Sequence, residues 1–203
     1  MIEHAAWDLA QLRAAFEDAA PFKHVLVDGF LRATALADVR AAFDDEPAER
    51  LQDEIMDVLA GPAPPESPAL RVVYDTLSSA SCLAALSSVT GRSLTAVELR
   101  AYVYQPGSYL LPHADRDAVG RRQIAFALYV GSVGELEGGE LDLYDVRGGM
   151  PDGAGGVVTT TVTRTILPRA NRCVLFEVHP RALHRVREVT LGARLSLAGW
   201  FLQ

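Results

Sequence analysis

The sequence predicts an α+β protein that is mainly β, with a helical N-terminal third leading into an antiparallel sandwich or barrel. Three observations carry this reading. Up to about residue 90 most apolar residues recur at helical spacing. From Ser93 onward the chain becomes a succession of short segments rich in β-branched and aromatic residues. Gly, Pro, Asp or Asn separates most of these segments, which is the punctuation of tight turns. A length of 203 residues suits one domain. The expectation is therefore a single domain over 1–203, with 1–90 a mostly helical support and 91–203 the β core.

Taken in order, "DLAQLRAAFEDAA" places Leu9, Leu12, Ala15 and Phe16 on one helical face. "PFKHVLVDGFL" alternates Val25 and Val27 as a short strand does, and Asp28-Gly29 closes it. "TALADVRAAFDD" predicts a helix capped by Thr34, with Leu36, Val39 and Phe43 on its apolar face. "RLQDEIMDVLA" reads as a further short amphipathic helix ending at Gly61. Pro62, Pro64, Pro65 and Pro68 then impose a loop, because proline breaks both helix and ladder. Residues 69–90 are helical again, with a break near Ser78 to Ser81. The strands follow as "LTAVELRAYVYQPG", "IAFALYVG", "ELDLYDV", "VVTTTVTRTIL", "RCVLFEV", "HRVREVTL" and "RLSLAGWFL". The Gly-rich "VRGGMPDGAGG" between two of them reads as a mobile flap or a disordered tip.

A net charge of −7 and a pI near 5.2 argue against a general basic surface, although Arg181, Arg185 and Arg187 cluster locally. No nucleic-acid partner is expected. No apolar run approaches the ~20 residues that span a bilayer. The acidic N-terminus also lacks the basic-then-apolar order of a secretion signal. Cys82 and Cys173 belong to no paired motif and read as buried free thiols. The expected setting is cytoplasmic, away from membranes.

Chemistry concentrates in "YQPGSYLLPHADRD". His113 and Asp115 are two residues apart, so on an extended chain they share a face. Of five histidines, His184 lies in the strand-like "ALHRVREV". Two imidazoles and one carboxylate make the facial triad of non-haem Fe(II) sites. Arg194 follows His184 by ten residues across an expected turn, "TLGA", which would place the two on neighbouring strands of a hairpin. Ser196 shares Arg194's face, and a guanidinium beside a hydroxyl suits capture of a carboxylate. Arg185 and Arg187 alternate away from His184 and read as solvated or salt-bridged. His179 and His24 read as non-ligands.

His-X-Asp, then a distant His, then Arg-X-Ser ten residues on, all within a β half, resembles the Fe(II)/2-oxoglutarate-dependent dioxygenases. The nearest resemblance is to their prolyl-4-hydroxylase-like branch. "YQPGSYLLPHAD", "IAFALYVG", "GGELDLYD", "NRCVLFEVHPRALHRVREV" and "RLSLAGWF" carry it over roughly 93–203, and "PFKHVLVDGFL" carries it weakly over 20–45. The resemblance implies a double-stranded β-helix (jelly roll, cupin-like) with helices packed on one sheet. It implies His113, Asp115 and His184 as iron ligands and Arg194 on the distal carboxylate of 2-oxoglutarate. Tyr104 and Tyr129 match tyrosines that hydrogen-bond the cosubstrate, with Tyr102 an alternative to Tyr104 and Tyr109 a candidate substrate contact. The implied reaction is hydroxylation of an aliphatic C–H by dioxygen, with Fe(II) and 2-oxoglutarate, release of succinate and CO2, and ascorbate as reductant. Asp115 stands where related halogenases carry a small residue, which favours hydroxylation. A prolyl residue of a protein or peptide is the first substrate choice, ahead of a free amino acid or small metabolite. Two other classes remain to be tested: a non-catalytic β-helix domain that binds a ligand or partner, and a cupin-type metal enzyme. The latter usually needs a His-X-His pair that "HAD" does not supply.

Overall fold

The computed structural model describes Ile2, residues 7–149 and residues 157–203. Four helices, α1 (Leu9–Glu17), α2 (Ala33–Ala41), α3 (Pro68–Leu77) and α4 (Ala80–Thr90), lie in the first half of the chain. Eleven strands are β1 (His24–Asp28), β2 (Glu49–Gln52), β3 (Met56–Ala60), β4 (Ala96–Tyr104), β5 (Tyr109–His113), β6 (Arg122–Gly138), β7 (Leu141–Gly148), β8 (Val158–Ile166), β9 (Arg172–Glu177), β10 (His184–Val186) and β11 (Val189–Leu202). All recorded strand pairings are antiparallel.

The strand order is β1-β9-β6-β11-β4-β3-β5-β10-β7-β8, with β2 joined to β3. β3 is the hinge of this order, because it pairs with both β4 and β5. On one side of it lies a major layer (β1, β9, β6, β11, β4), and on the other a minor layer (β5, β10, β7, β8). Phe22, Ala125, Tyr129, Val174 and Phe176 pack with Leu141, Leu143 and Ile166, so the two layers face each other. This is the jelly roll, or double-stranded β-helix, expected from the sequence.

Period-two alternation divides the major layer into two uses. Val97, Leu99 and Ala101 of β4, Ile124, Phe126 and Leu128 of β6, and Leu195, Leu197 and Phe201 of β11 join Phe16, Leu70, Leu77 and Leu86 of the helices in one core. The alternate residues of the same strands face the minor layer. Because both faces are covered, β6 reads as a continuous apolar run. Helix α4 is delimited by its ends. The Ser79 side chain accepts a hydrogen bond from the Cys82 amide, and Gly91 ends the helix in the left-handed region at φ 67°. The break between α3 and α4 falls where expected.

Two local expectations are corrected. Residues 49–60 form the β2–β3 hairpin rather than a helix. The Asp53 carboxylate closes its turn by accepting from the amides of Ile55 and Met56 at 2.8 and 2.9 Å. β3 then gains backbone partners on β4 and β5 that a helix could not have. Second, α2 starts after Arg32 with no side-chain cap, so Thr34 sits inside its first turn. The Gly-rich expectation for 146–156 falls largely on residues 150–156, outside the described residues. Among the described residues, no single helix is long and apolar enough to cross a membrane.

Candidate metal and cosubstrate site

The minor layer supplies a cluster of metal-ligand side chains. β5 ends on His113 and β10 begins on His184, and the two residues are direct cross-strand partners. Their rings lie 4.3 Å apart between centroids. Asp115 follows just beyond the end of β5 and turns its carboxylate onto both imidazoles. Its Oδ1 is 3.4 Å from His113 Nε2, and its Oδ2 is 3.3 Å from His184 Nε2. One ligand atom from each of the three lies within 4.8 Å of the others. Each ring is held from behind: Nδ1 of His113 donates to the Leu111 carbonyl at 2.8 Å and Nδ1 of His184 to the Ala182 carbonyl at 3.0 Å. With Nδ1 carrying the proton, both Nε2 lone pairs point at the carboxylate.

Three electron-pair donors facing one another repel unless a cation or a shared proton sits among them. The electrostatics of the three side chains show this demand. Burial would raise the Asp115 carboxyl, yet the His184 and His113 imidazoles hold it well below the usual carboxylate range. Burial disfavours charge on His113, and the Asp115 hydrogen bond and charge more than reverse that, so its pKa is raised. Two neutral imidazoles and one carboxylate are the donor set that suits Fe(II) with open positions. The residues fit that ion.

The major layer supplies the facing wall. Arg194 is only 3% exposed and pairs with no carboxylate among the described residues. Its Nη1 donates to the Gly139 carbonyl at 2.7 Å, its Nη2 reaches Ser196 Oγ at 3.5 Å, and its Nε is buried with no partner. The guanidinium carbon lies 4.0 Å from the Tyr104 ring centroid and 5.3 Å from that of Tyr129. Strand register brings these together, since Arg194 is paired with Tyr104 across β11–β4 and Ser196 with Tyr129 across β11–β6. The Tyr129 hydroxyl is likewise buried and unpartnered. Burial pushes the Tyr129 phenol up to about 12 and raises that of Tyr104, so both stay protonated near neutral pH. A buried, uncompensated cation beside an unpartnered hydroxyl is costly in isolation. It fits a carboxylate, and the residues therefore fit the distal end of 2-oxoglutarate.

Both walls open on one cavity of about 360 Å³. Tyr102, Tyr104, His113, Asp115, His184 and Arg194 line it. Tyr129 stands behind Arg194 and is absent from that lining, and Tyr109 pairs with Asp57 at its edge without lining it. The expected His184–Arg194 hairpin is not formed. β10 pairs with β5 and β7, β11 pairs with β4 and β6, and "TLGA" lies within β11. The chain changes layers between the two residues, so they face each other across the cavity instead of lying side by side.

Arg185 and Arg187 point away from the metal donors as expected, each donating through Nε to the buried Asp142 at 2.8 Å. His179 sits after β9 beside Glu177, and the His24 ring is hydrogen-bonded to the Phe22 carbonyl, so neither joins the cluster. Sequence reasoning missed Trp200, Arg122, Ile55 and Met56, which also line the cavity. The Arg122 guanidinium lies 3.4 Å from the Trp200 ring centroid. Alternation along β11 puts Trp200 on the same face as Arg194, Ser196 and Ala198, and that periodicity was the available signal.

The family model described as the 2OG-Fe(II) oxygenase superfamily matches residues 99–202. The prolyl 3,4-dihydroxylase OGFOD1 of Ostreococcus tauri is 36% identical over 127 residues, 57% of this chain and 23% of that protein. The prolyl 3-hydroxylase OGFOD1 of Mus musculus is 35% identical over 120 residues, 57% of this chain and 20% of that protein. The chain thus spans less than a quarter of the length of these relatives. In fold it is similar to a Pseudomonas putida prolyl-4-hydroxylase, with TM-score 0.69, 22% identity and coverage of 95% of this chain and 98% of that one. It is also similar to a Trichoplax adhaerens prolyl hydroxylase bound to a hypoxia inducible factor peptide, with TM-score 0.66, 16% identity and coverage of 97% and 93%. With the matched region covering β4 to β11 and every donor described above, the chain belongs to the 2OG-Fe(II) oxygenase superfamily.

Proposed function

We propose that this chain hydroxylates a prolyl residue of a protein or peptide. The observation that carries the cofactor half is one cavity holding a cation-demanding donor trio on one wall and an uncompensated guanidinium on the other. The printed activities of the relatives, and the peptide in the Trichoplax structure, support the prolyl half.

In this reading His113 and His184 through Nε2, and Asp115 through its carboxylate, hold the metal. When bound, Fe(II) with 2-oxoglutarate supplies the oxidation of C–H to C–OH by dioxygen, releasing succinate and carbon dioxide. Arg194 receives the distal carboxylate in a dry, apolar setting where an ion pair is far stronger than in water. Tyr104 offers a neutral O–H donor from the cavity lining, and the Tyr129 hydroxyl offers one from beside the Arg194 guanidinium once the ligand's carboxylate reaches it. The walls contributed by Leu141, Phe176, Val186 and Ala198 exclude water from the reacting centre. The Leu111 and Ala182 carbonyls keep both imidazoles in the tautomer that presents Nε2. The same proposal has the chain working in a reducing, cytoplasmic setting, which its two buried free thiols suit, with ascorbate as reductant.

The test is mass spectrometry of proline-containing peptides and candidate proteins after incubation with the chain. A gain of one oxygen that requires iron and 2-oxoglutarate, and that His113→Ala and Asp115→Ala abolish, is expected. Turnover of 2-oxoglutarate coupled only to a free amino acid or small metabolite would overturn the prolyl assignment. Failure to retain iron would overturn the metal assignment.

A further inference from the structure

We propose that the backbone carbonyl of Gly139 orients Arg194 for the cosubstrate, which makes Gly139 a positioning residue for 2-oxoglutarate. The inference rests on reading Arg194 as the carboxylate-binding residue.

Arg194 is a long side chain with four rotatable bonds, buried in the wall of the cavity. Something must choose which edge of its guanidinium faces the ligand. Nη1 is committed to the Gly139 carbonyl at 2.7 Å, the shortest contact it makes. The side edge of a guanidinium, formed by Nε–H and Nη2–H, then stays available. Nε is the buried atom without a partner, and Nη2 makes a long contact with Ser196 Oγ at 3.5 Å, with the Tyr104 side chain also against the guanidinium. That edge is the fork that matches two carboxylate oxygens. A neutral carbonyl also holds the cation without neutralising it, as a carboxylate would. Its charge remains for the ligand.

The backbone at this point is built to bring the carbonyl there. Gly138 and Gly139 join β6 to β7 with φ +82° and +74°, two successive left-handed residues. The segment passes directly against the connection from β10 to β11, and the Arg187 amide donates to the Glu140 carbonyl at 2.9 Å. A Cβ on Gly138 would lie 1.9 Å from the Glu188 carbonyl oxygen. A Cβ on Gly139 would lie 3.1 Å from Val189 Cγ2 and 3.2 Å from Arg194 Cδ. A side chain at residue 139 would therefore displace the stem of Arg194 as well as strain the backbone that presents the carbonyl.

Oxalate separates positioning from general damage. It can chelate the metal through two oxygens but has no distal carboxylate to reach Arg194. Binding of 2-oxoglutarate and of oxalate to the Mn(II)-loaded protein is measured calorimetrically for the wild type, Gly139→Ala, Gly139→Ala/Val189→Ala, Arg194→Met and Gly139→Ala/Arg194→Met. Gly139→Ala should weaken 2-oxoglutarate about tenfold, the effect of misaligning one charge-assisted hydrogen bond, and leave oxalate within about twofold. Adding Val189→Ala relieves one of the two crowded contacts but leaves the strain at φ +74° and the shifted Arg194 stem, so it should not restore 2-oxoglutarate affinity; recovery of that affinity would overturn the proposal. In the Arg194→Met background, Gly139→Ala should have no further effect on either ligand. Equal weakening of both ligands by Gly139→Ala, or no weakening of 2-oxoglutarate, would overturn the proposal. If Arg194→Met itself fails to separate the two ligands, the underlying assignment of Arg194 is what fails.

Discussion

Replacing Arg194 by Met tests whether the site is built to receive an anion. Met matches the stem of Arg194 as far as Nε, so the substitution removes the charge and its hydrogen bonds while keeping most of the apolar packing. The guanidinium is 3% exposed, donates a 2.7 Å hydrogen bond to the Gly139 carbonyl, lies 4.0 Å from the Tyr104 ring centroid and leaves Nε unpartnered. Burying an ion costs several kcal/mol. The Gly139 bond returns about 2 kcal/mol, and the Tyr104 stack about 2 kcal/mol. These terms nearly cancel, so the ligand-free variant should melt within about 4 °C of the wild type, or above it. A buried ion with a true counterion behaves differently, because breaking such a pair costs about 3–5 kcal/mol, which here is a fall of roughly 6–20 °C. Affinity for 2-oxoglutarate should move far more. Loss of a bidentate, charge-assisted contact of about 3–5 kcal/mol weakens binding by roughly 10²–10³-fold or more. Scanning fluorimetry with and without Mn(II) and 2-oxoglutarate reads both effects at once, since only a bound ligand raises the melting temperature. A large fall in the ligand-free melting temperature, with 2-oxoglutarate protection intact, would refute the reasoning.

Two further substitutions follow from the same accounting of buried polar groups. Tyr129→Phe removes a buried hydroxyl without a partner; it should leave ligand-free stability unchanged or raise it by up to about 1 kcal/mol, while weakening 2-oxoglutarate about fivefold. A drop in ligand-free stability would show that the hydroxyl is already satisfied. Asp142 is fully buried, and although burial would raise its pKa, hydrogen bonds from Arg187, Thr165 and Arg185 hold it below the usual range. A depressed carboxylate stabilises the fold above its unfolded pKa near ~3.9, and that contribution disappears as pH falls through the folded value. Asp142→Asn should therefore cost about 3 kcal/mol in urea unfolding at pH 7. The gap to wild type should close as pH is taken below ~4; a gap independent of pH would mean the carboxylate is not depressed.

The candidate pair His113 and Asp115 was legible because His-X-Asp at the end of a strand is a local pattern: two side chains on one face need no knowledge of the rest of the chain. Alternation along "RLSLAGWF" put Arg194 and Ser196 on one face; carried two steps further it reaches Trp200, which sequence reasoning did not single out, with Leu195, Leu197 and Phe201 on the other face. Residues 49–60 resisted because they carry both periods. Leu51, Ile55, Val58 and Leu59 fit a helix, while Met56, Val58 and Ala60 fit a strand. Pairing with β4 and β5 decides between them, and those partners lie more than forty residues downstream. The separation of His184 from Arg194 was hidden for a related reason. A strand of three residues, His184–Val186, followed at once by β11 looks like one hairpin in sequence, and only hydrogen-bond partners reveal a change of layer.

That change of layer has a consequence for how the site works. His113, Asp115 and His184 belong to the minor layer, while Arg194, Tyr104, Tyr129 and Ser196 belong to the major one. A ligand that touches the metal with one end and Arg194 with the other bridges the two layers, so its binding measures their separation. Among the described residues, β3, which is hydrogen-bonded to both layers, and the apposed connections 138–140 and 187–189 help the core packed between the layers to hold that separation. Metal affinity depends on the minor layer alone. A substitution that loosens the β3 pairing should therefore spare metal and oxalate binding and weaken 2-oxoglutarate. The same reasoning explains why Gly139, which coordinates nothing and touches no substrate, belongs to the chemistry: it stands where the two layers meet and hands the cation to the cavity.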